Sequence, residues 1–288
     1  MLLRHLLPRS RLPHSFRAFS SSHSQRMKIV PVPVRQDNYA YILIDEPSNK
    51  AAAVDPYDVP KVKAAADKLG VEIVAGITTH HHFDHSGGNE AFAKAYPGVP
   101  IYGGSDKIPA LTDLVKDNSE FTVGTETHIK CLATPCHTQD SICYYATTPE
   151  HPGAVFTGDT LFIGGCGRFF EGTGEEMHAA LSYLGTLPSK TLVYPGHEYA
   201  GGNIAFARSV VSDGEVAKGI QKLEAVAKEH SSITGVTTIG DEKEWNVFMQ
   251  LQDATVRQGA GVPEGASDVS VIDKLRELKN NYRGSSKL

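Results

Sequence analysis

Residues 80–85 read His80-His81-His82-Phe83-Asp84-His85, five metal-binding side chains in six positions. Four of them, His80, His82, Asp84 and His85, have the H-x-H-x-D-H spacing of a two-metal hydrolytic site. Imidazole with carboxylate suits zinc, and also iron or manganese. His80 and His82 lie two apart and can face one ion, while Asp84 and His85 turn towards a second. An apolar strand before the cluster and Gly87-Gly88 after it give the motif its context. His81 is expected not to be a ligand, although it stands between two that are.

Three further ligand types close apolar stretches. His137 follows Thr134-Pro135-Cys136, Asp159 follows Thr157-Gly158, and His197 follows Pro195-Gly196. Loops at strand ends are where a rigid scaffold presents catalytic groups. With the first cluster these make seven ligands, enough for two ions that keep open positions for water and substrate.

Such side chains need elements to hold them. Segments 28–34, 39–45 and 51–55 read as successive strands, with Asp37-Asn38 as a turn. Residues 58–69 read as a helix with Asp58 as cap, Pro60 in the first turn and Gly70 as stop. Strand 71–79 then delivers the histidines, and a helix over 88–96 follows. Strands near 99–102, 128–134, 141–146, 154–158 and 191–194, with a helix over 175–186, complete an α/β pattern. Hairpin-like pairs argue against a purely parallel sheet and for two packed sheets with helices outside. Beyond residue 200 the pattern turns helical, over 202–212, 214–230, 242–255 and 268–282, with a loop at 259–265. The boundary falls near 199–203, dividing a catalytic domain, 27–200, from a helical substrate-binding domain, 201–288. In the last helix Val271, Ile272, Leu275 and Leu278 share an apolar face, and Arg276 and Lys279 project together from another.

The chain has 288 residues, is 40 % hydrophobic, and carries a net charge of −5. That charge offers no general attraction to nucleic acid or to an anionic membrane, and no run approaches the ~20 apolar residues of a membrane span. Cys131, Cys136, Cys143 and Cys166 form no C-x-x-C pair and read as free thiols of a reducing compartment. Residues 1–26 differ from the rest, with five arginines, several serines and no acid. That is the composition of a mitochondrial transit peptide. The full-length chain is expected in the mitochondrial matrix, and initiation at Met27 would give a cytosolic form.

The series His80-x-His82-x-Asp84-His85, His137, Asp159, His197 resembles the metallo-β-lactamase superfamily. From about Met27 to about residue 283 the chain is similar to its glyoxalase II (hydroxyacylglutathione hydrolase) branch. The likeness includes Asp37-Asn38-Tyr39, 134–138, 158–162, Gly165-Cys166-Gly167-Arg168 and Gly196-His197-Glu198-Tyr199. The resemblance implies a four-layer αββα sandwich with a C-terminal α-helical domain. It implies that His80, His82 and His137 hold one divalent ion, Asp84, His85 and His197 the other, and that Asp159 bridges.

Two neighbouring ions can share a hydroxide and clamp the reacting carbonyl. A thiol of pKa about 8.5 then leaves as thiolate with little help from an acid. Asp84 could orient the attacking water as well as ligate. The implied reaction is hydrolysis of S-(2-hydroxyacyl)glutathione, chiefly S-D-lactoylglutathione, to glutathione and D-lactate, the second step of methylglyoxal detoxification. The resemblance also implies that Arg168, Phe170, Tyr199, Arg276 and Lys279 bind the substrate of a monomeric enzyme, the basic pair meeting a glutathione carboxylate. Phe170 replaces a frequent tyrosine, Arg168 a common lysine, and Gln139-Asp140-Ser141 departs from the usual run beside His137. A mononuclear-iron persulfide dioxygenase and a non-catalytic metal- or glutathione-binding protein are the competing readings.

Overall fold

The stretch Asn38–Asp45 is buried along its whole length, and its alternate side chains enter different cores. Tyr39, Tyr41 and Leu43 face one core, and Ala40, Ile42 and Ile44 face another. A strand's period of two makes this possible, and burial on both faces marks the inside of a layered fold. The computed structural model describes residues 26–284. The leader expected over 1–26 lies outside the described residues, apart from Arg26. That residue belongs to the folded body, where its guanidinium pairs with Glu126 at 2.7 Å and Glu150 at 3.6 Å.

The first sheet runs β1 (Met27–Val34), β2 (Asn38–Asp45), β3 (Lys50–Val54), β4 (Glu72–Ile77), β5 (Ile101–Gly103) and β6 (Asp113–Leu114) in that spatial order. It begins antiparallel and becomes parallel from β3 onward. Helices α1 (Val59–Leu69), the one-turn α2 (Phe83–Ser86) and α3 (Asn89–Ala95) follow its strands. Val59, Val62, Ala66 and Phe92 from α1 and α3 cover one face of it. The expected cap and stop of α1 are present: Asp58 accepts from the Lys61 amide, and Gly70 takes φ 69°.

The second sheet contains β7 (Glu120–Val123), β8 (Thr127–Ala133), β9 (Ile142–Thr147) and β10 (Ala154–Gly158). After the ribbon β11 (Leu161–Phe162) and β12 (Gly165–Cys166) and helix α4 (Gly174–Gly185), β13 (Leu192–Pro195) returns to pair in parallel with β10. Ile129, Cys131, Tyr144 and Phe156 meet Tyr41 and Leu43 between the sheets. The sheets are also tied by one buried carboxylate. Asp45, at the end of β2, accepts from Ser48, Thr125, Glu126 and Thr127, the last three at the β7–β8 turn. Burial pushes its pKa up, but these hydrogen bonds prevail and hold it well below the usual carboxylate range.

The other face of the second sheet packs on α4 and on α5 (Ala200–Val210), α6 (Gly214–Glu229), α7 (Ile239–Trp245), α8 (Ala254–Ala260) and α9 (Asp268–Asn281). The helical region thus shares one continuous core with this sheet. The layering is helix, sheet, sheet, helix, as the resemblance implied.

Helix 242–255 is a correction: it is two shorter helices. Thr238 and Asp241 form a capping box that starts α7 early. Asn246 turns its side chain to Gly165 O and Glu242, and Asp253 caps α8 by accepting from Thr255 N and Val256 N. These side-chain bonds outcompete helix continuation between 246 and 253. Strands β6, β7, β11 and β12, absent from the sequence reading, are short, and the last two are held largely by partners outside themselves. All four cysteines are buried free thiols.

Candidate active site

All seven predicted ligands leave the ends of strands or the turn just beyond, and they meet at one edge of the two sheets. His80, His82, Asp84 and His85 follow β4; His137 follows β8, Asp159 follows β10 and His197 follows β13. His82 Nδ1 lies 3.1 Å from His80 Nε2 and 3.0 Å from His137 Nε2. A second group forms where His85 Nε2, His197 Nε2 and Asp84 Oδ2 lie 3.3–3.6 Å apart. Asp159 spans both, with Oδ1 3.3 Å from His85 Nε2 and Oδ2 3.4 Å from both His137 Nε2 and His197 Nε2.

These donors fit divalent cations. His82 Nδ1 facing two other imidazole nitrogens at about 3 Å makes an unfavourable arrangement of lone pairs unless a cation lies among them. Tetrahedral zinc with Zn–N of about 2.0–2.1 Å would need donor–donor edges of about 3.3–3.4 Å, close to the spacings found. Asp159 Oδ1 is buried and has no hydrogen-bond partner, although buried polar atoms are rarely left so.

Four of the nitrogens turned away from the centre are also occupied. His80 Nδ1 donates to Thr79 Oγ1, His85 Nδ1 to Asp55 Oδ2, His137 Nδ1 to Arg168 O and His197 Nδ1 to Asp37 Oδ1, at 2.9–3.1 Å. Each bond fixes a ring tautomer and frees Nε2 for the centre. Asn38 donates to Asp84 Oδ2 at 2.9 Å.

The electrostatics divide the rings. Burial holds His80, His82 and His137 below the ordinary imidazole value, which keeps them neutral as ligands must be. Burial also opposes charge on His85 and His197, but Asp159 with Asp55 raises the first, and Asp159 with Asp84 raises the second to about 10. Asp84 is held low chiefly by the His197 hydrogen bond; Asp159 is held low by His85 and His197 against the effect of burial. A cation entering here displaces protons from a site already matched to positive charge.

His81 points elsewhere: its Nδ1 meets Asp140 Oδ1 at 2.8 Å, and its Nε2 lies 3.7 Å from Glu171 Oε1. These three could also surround an ion, but Ser105 occupies Asp140 Oδ2, and Lys107 and Gln139 bind Glu171.

A cavity of about 610 Å³ opens from His137 and Asp159. Arg168, Phe170, Tyr199, Arg276 and Lys279, the five substrate-binding candidates, all line it. Tyr199 stacks on the His197 ring, 4.6 Å between centroids, and the exposed Phe170 edges onto His82 and His137. Arg276 and Lys279 are not a solvated helix face. Arg276 is 7 % exposed, and its Nη1 donates to Cys166 O and Gly167 O. Lys279 Nζ donates to Gly202 O at 2.8 Å, and burial first, then Arg276, brings its pKa down to about 8.

The metallo-beta-lactamase superfamily model matches residues 50–197, and the hydroxyacylglutathione hydrolase C-terminus model matches residues 198–282. A probable hydroxyacylglutathione hydrolase of Schizosaccharomyces pombe is 43 % identical over 262 residues, 88 % of this chain and 98 % of the relative. The chain belongs to the hydroxyacylglutathione hydrolase family. A cytoplasmic hydroxyacylglutathione hydrolase of Arabidopsis thaliana is also 43 % identical, covering 90 % of this chain and 100 % of its own. A metallo-beta-lactamase of Staphylococcus aureus shares the fold, with TM-score 0.60, 20 % identity, and 89 % and 72 % of the two chains covered.

Sequence reasoning missed Asp55, read only as the end of a strand. In the fold it leaves the strand at φ 46°, accepts from Thr79 N and Oγ1, and orients His85. An acid that closes the apolar run Ala51–Val54 was the available signal. Asp37 and Asn38, read as a turn, hold His197 and Asp84.

Proposed function

We propose that this enzyme hydrolyses S-(2-hydroxyacyl)glutathione thioesters, chiefly S-D-lactoylglutathione, to glutathione and D-lactate. The observation that carries this reading is the single cavity joining the His137–Asp159 edge of the ligand cluster to the buried Arg276 and the half-buried Lys279. Family membership supports it over a mononuclear-iron persulfide dioxygenase and over a non-catalytic binding protein.

His80, His82 and His137 would hold one divalent ion and Asp84, His85 and His197 a second, with Asp159 shared. Zinc suits this donor set best, with iron or manganese as other candidates. When bound, the ions supply an acidified water and a Lewis acid for the thioester carbonyl. The protein's own groups do the rest. Arg168, Arg276 and Lys279 attract the glutathione carboxylates and orient the thioester towards the cluster. Phe162, Phe170 and Tyr199 provide an apolar wall that reduces water access. Asp84, kept ionised by His197 and Asn38, accepts a hydrogen bond from the attacking water and directs it. The leaving thiolate, of conjugate-acid pKa about 8.5, needs no dedicated acid near neutral pH.

Residues 27–200 form the catalytic unit in this reading, and 201–288 the substrate-binding unit of a monomer. The leader 1–26 would carry the full-length chain to mitochondria, and a start at Met27 would leave it in the cytosol. Among the described residues no helix is long and apolar enough to cross a membrane. The deciding experiment is hydrolysis of S-D-lactoylglutathione with metal content measured on the same sample. Metal-loaded protein without activity would refute the enzymatic reading, and imaging of a tagged full-length chain outside mitochondria would refute the address.

A further inference from the structure

Glu242 is a fully buried carboxylate in the helical region that no step of the reaction uses. It lies at the foot of the ribbon Leu161–Cys166, whose backbone is gripped by four side chains of the helical region. Glu242 Oε2 accepts from Gly164 N at 2.9 Å and from Asn246 Nδ2 at 2.9 Å, and Oε1 accepts from Trp245 Nε1 at 3.0 Å. Asn246 Nδ2 also donates to Gly165 O, Asn203 Nδ2 to Ile163 O, and Arg276 Nη1 to Cys166 O and Gly167 O. A two-stranded ribbon is marginal by itself, so these bonds set its place.

The ribbon leads directly into the site. Arg168 O, just beyond it, receives the His137 Nδ1 hydrogen bond, and the Arg168 side chain lines the cavity. Gly167 is pressed so closely that a Cβ there would stand 1.9 Å from Asp159 O. A shift of the ribbon therefore moves the cavity wall at Cys166, Gly167 and Arg168, together with Arg276, which is bonded to it.

We infer that Glu242 is a positioning residue that holds the glutathione-binding wall in register, through Gly164 and Asn246. The inference rests on the glutathione reading above. Its chemistry is specific: all three partners donate, so only an all-acceptor side chain satisfies them together. In Glu242→Gln the amide oxygen can meet Gly164 and Asn246 only if the amide nitrogen faces the Trp245 N–H, a donor–donor clash that pushes the side chain off Gly164. Replacing Trp245 by phenylalanine removes that opposing donor.

The test uses metal-loaded, full-length protein. KM and kcat are measured on S-D-lactoylglutathione, the dissociation constant of glutathione by calorimetry, and Gly164 amide exchange by NMR. E242Q should raise KM and the glutathione Kd about tenfold with kcat within about threefold, the pattern of lost uniform binding. E242Q/W245F should return both to within about threefold of wild type, and Asn246→Ala should shift them as E242Q does. Gly164 exchange should quicken in E242Q. A lowered Tm with KM, Kd and exchange unchanged would overturn the inference, as would failure of the double variant to rescue. If E242Q does not fold, N246A decides the question through KM and Kd: a rise in both supports the inference, and wild-type values overturn it. A wild type that neither hydrolyses the thioester nor binds glutathione would instead refute the glutathione reading, and Gly164 exchange would still decide whether Glu242 holds the ribbon.

Discussion

The two ends of the cavity are built on different plans. At the metal end the groups come from loops after strands, and each outward-facing ring nitrogen of His80, His85, His137 and His197 has its own acceptor. At the helical end the groups are cations on α9, Arg276 buried and Lys279 half-buried, held by backbone carbonyls and laid against Phe206 and Phe248. The metal end needs exact donor placement, so hydrogen bonds orient its ligands. The helical end needs charge at roughly the right place, and the low local dielectric strengthens the attraction of that charge for an anion. The first end should therefore govern kcat and metal content, and the second KM.

Substitution can break this contrast. The largest effect is expected from His82→Ala, which removes the nitrogen between His80 and His137. Activity should fall by about 10³-fold or more, on the scale of losing a principal electrostatic group, and metal analysis should show an ion lost. Retained metal and activity would remove the basis of the comparison. Asp55→Ala leaves every ligand in place but frees the His85 ring. Its metal affinity should weaken by about 10–100-fold, read by chelator competition, with KM little changed in metal excess.

At the other end Arg276→Ala should raise KM by about 10–100-fold with kcat nearly unchanged, because a hydrogen bond to a charged group contributes about 1.5–3 kcal/mol. Lys279→Ala should raise KM by about tenfold. The Lys279 ammonium, with its pKa brought down to about 8, loses its proton as pH rises through that value. KM in the wild type should accordingly climb above about pH 8, and Lys279→Arg should flatten the climb. A pH-independent KM through that range would assign the attraction to Arg276 and Arg168 instead.

The smallest effect on catalysis is expected from Asp45→Asn, far from both ends. An amide can satisfy only part of the donor set around this carboxylate, and the cost should be about 2–4 kcal/mol near neutral pH. The folded-state pKa is depressed, so this stability is present above the ordinary carboxylate pKa and is lost as pH falls through the folded value. Melting curves of the two proteins should therefore converge in acid, with KM and kcat equal at neutral pH.

The metal end was largely legible in the chain because ligand chemistry is written in residue type and short spacing. The order H-x-H-x-D-H and the strand-closing His137, Asp159 and His197 named every side chain that converges. The caps of α1 and the strand pattern of 39–45 were legible for the same reason: they depend on neighbours in sequence. Asp55 was not, because an acid after a strand looks the same whether it ends a turn or orients a histidine 30 residues later.

Residue types and local spacing thus determined which metal-binding side chain types cluster, the α/β class and the basic residues of the last helix. Only the tertiary structure decided that Arg276 is buried on the ribbon's carbonyls, that 242–255 breaks at Asn246, and that Glu242 faces three donors. These depend on groups brought together when the layers close, and no pattern along the sequence records which distant polar group will then need to be satisfied.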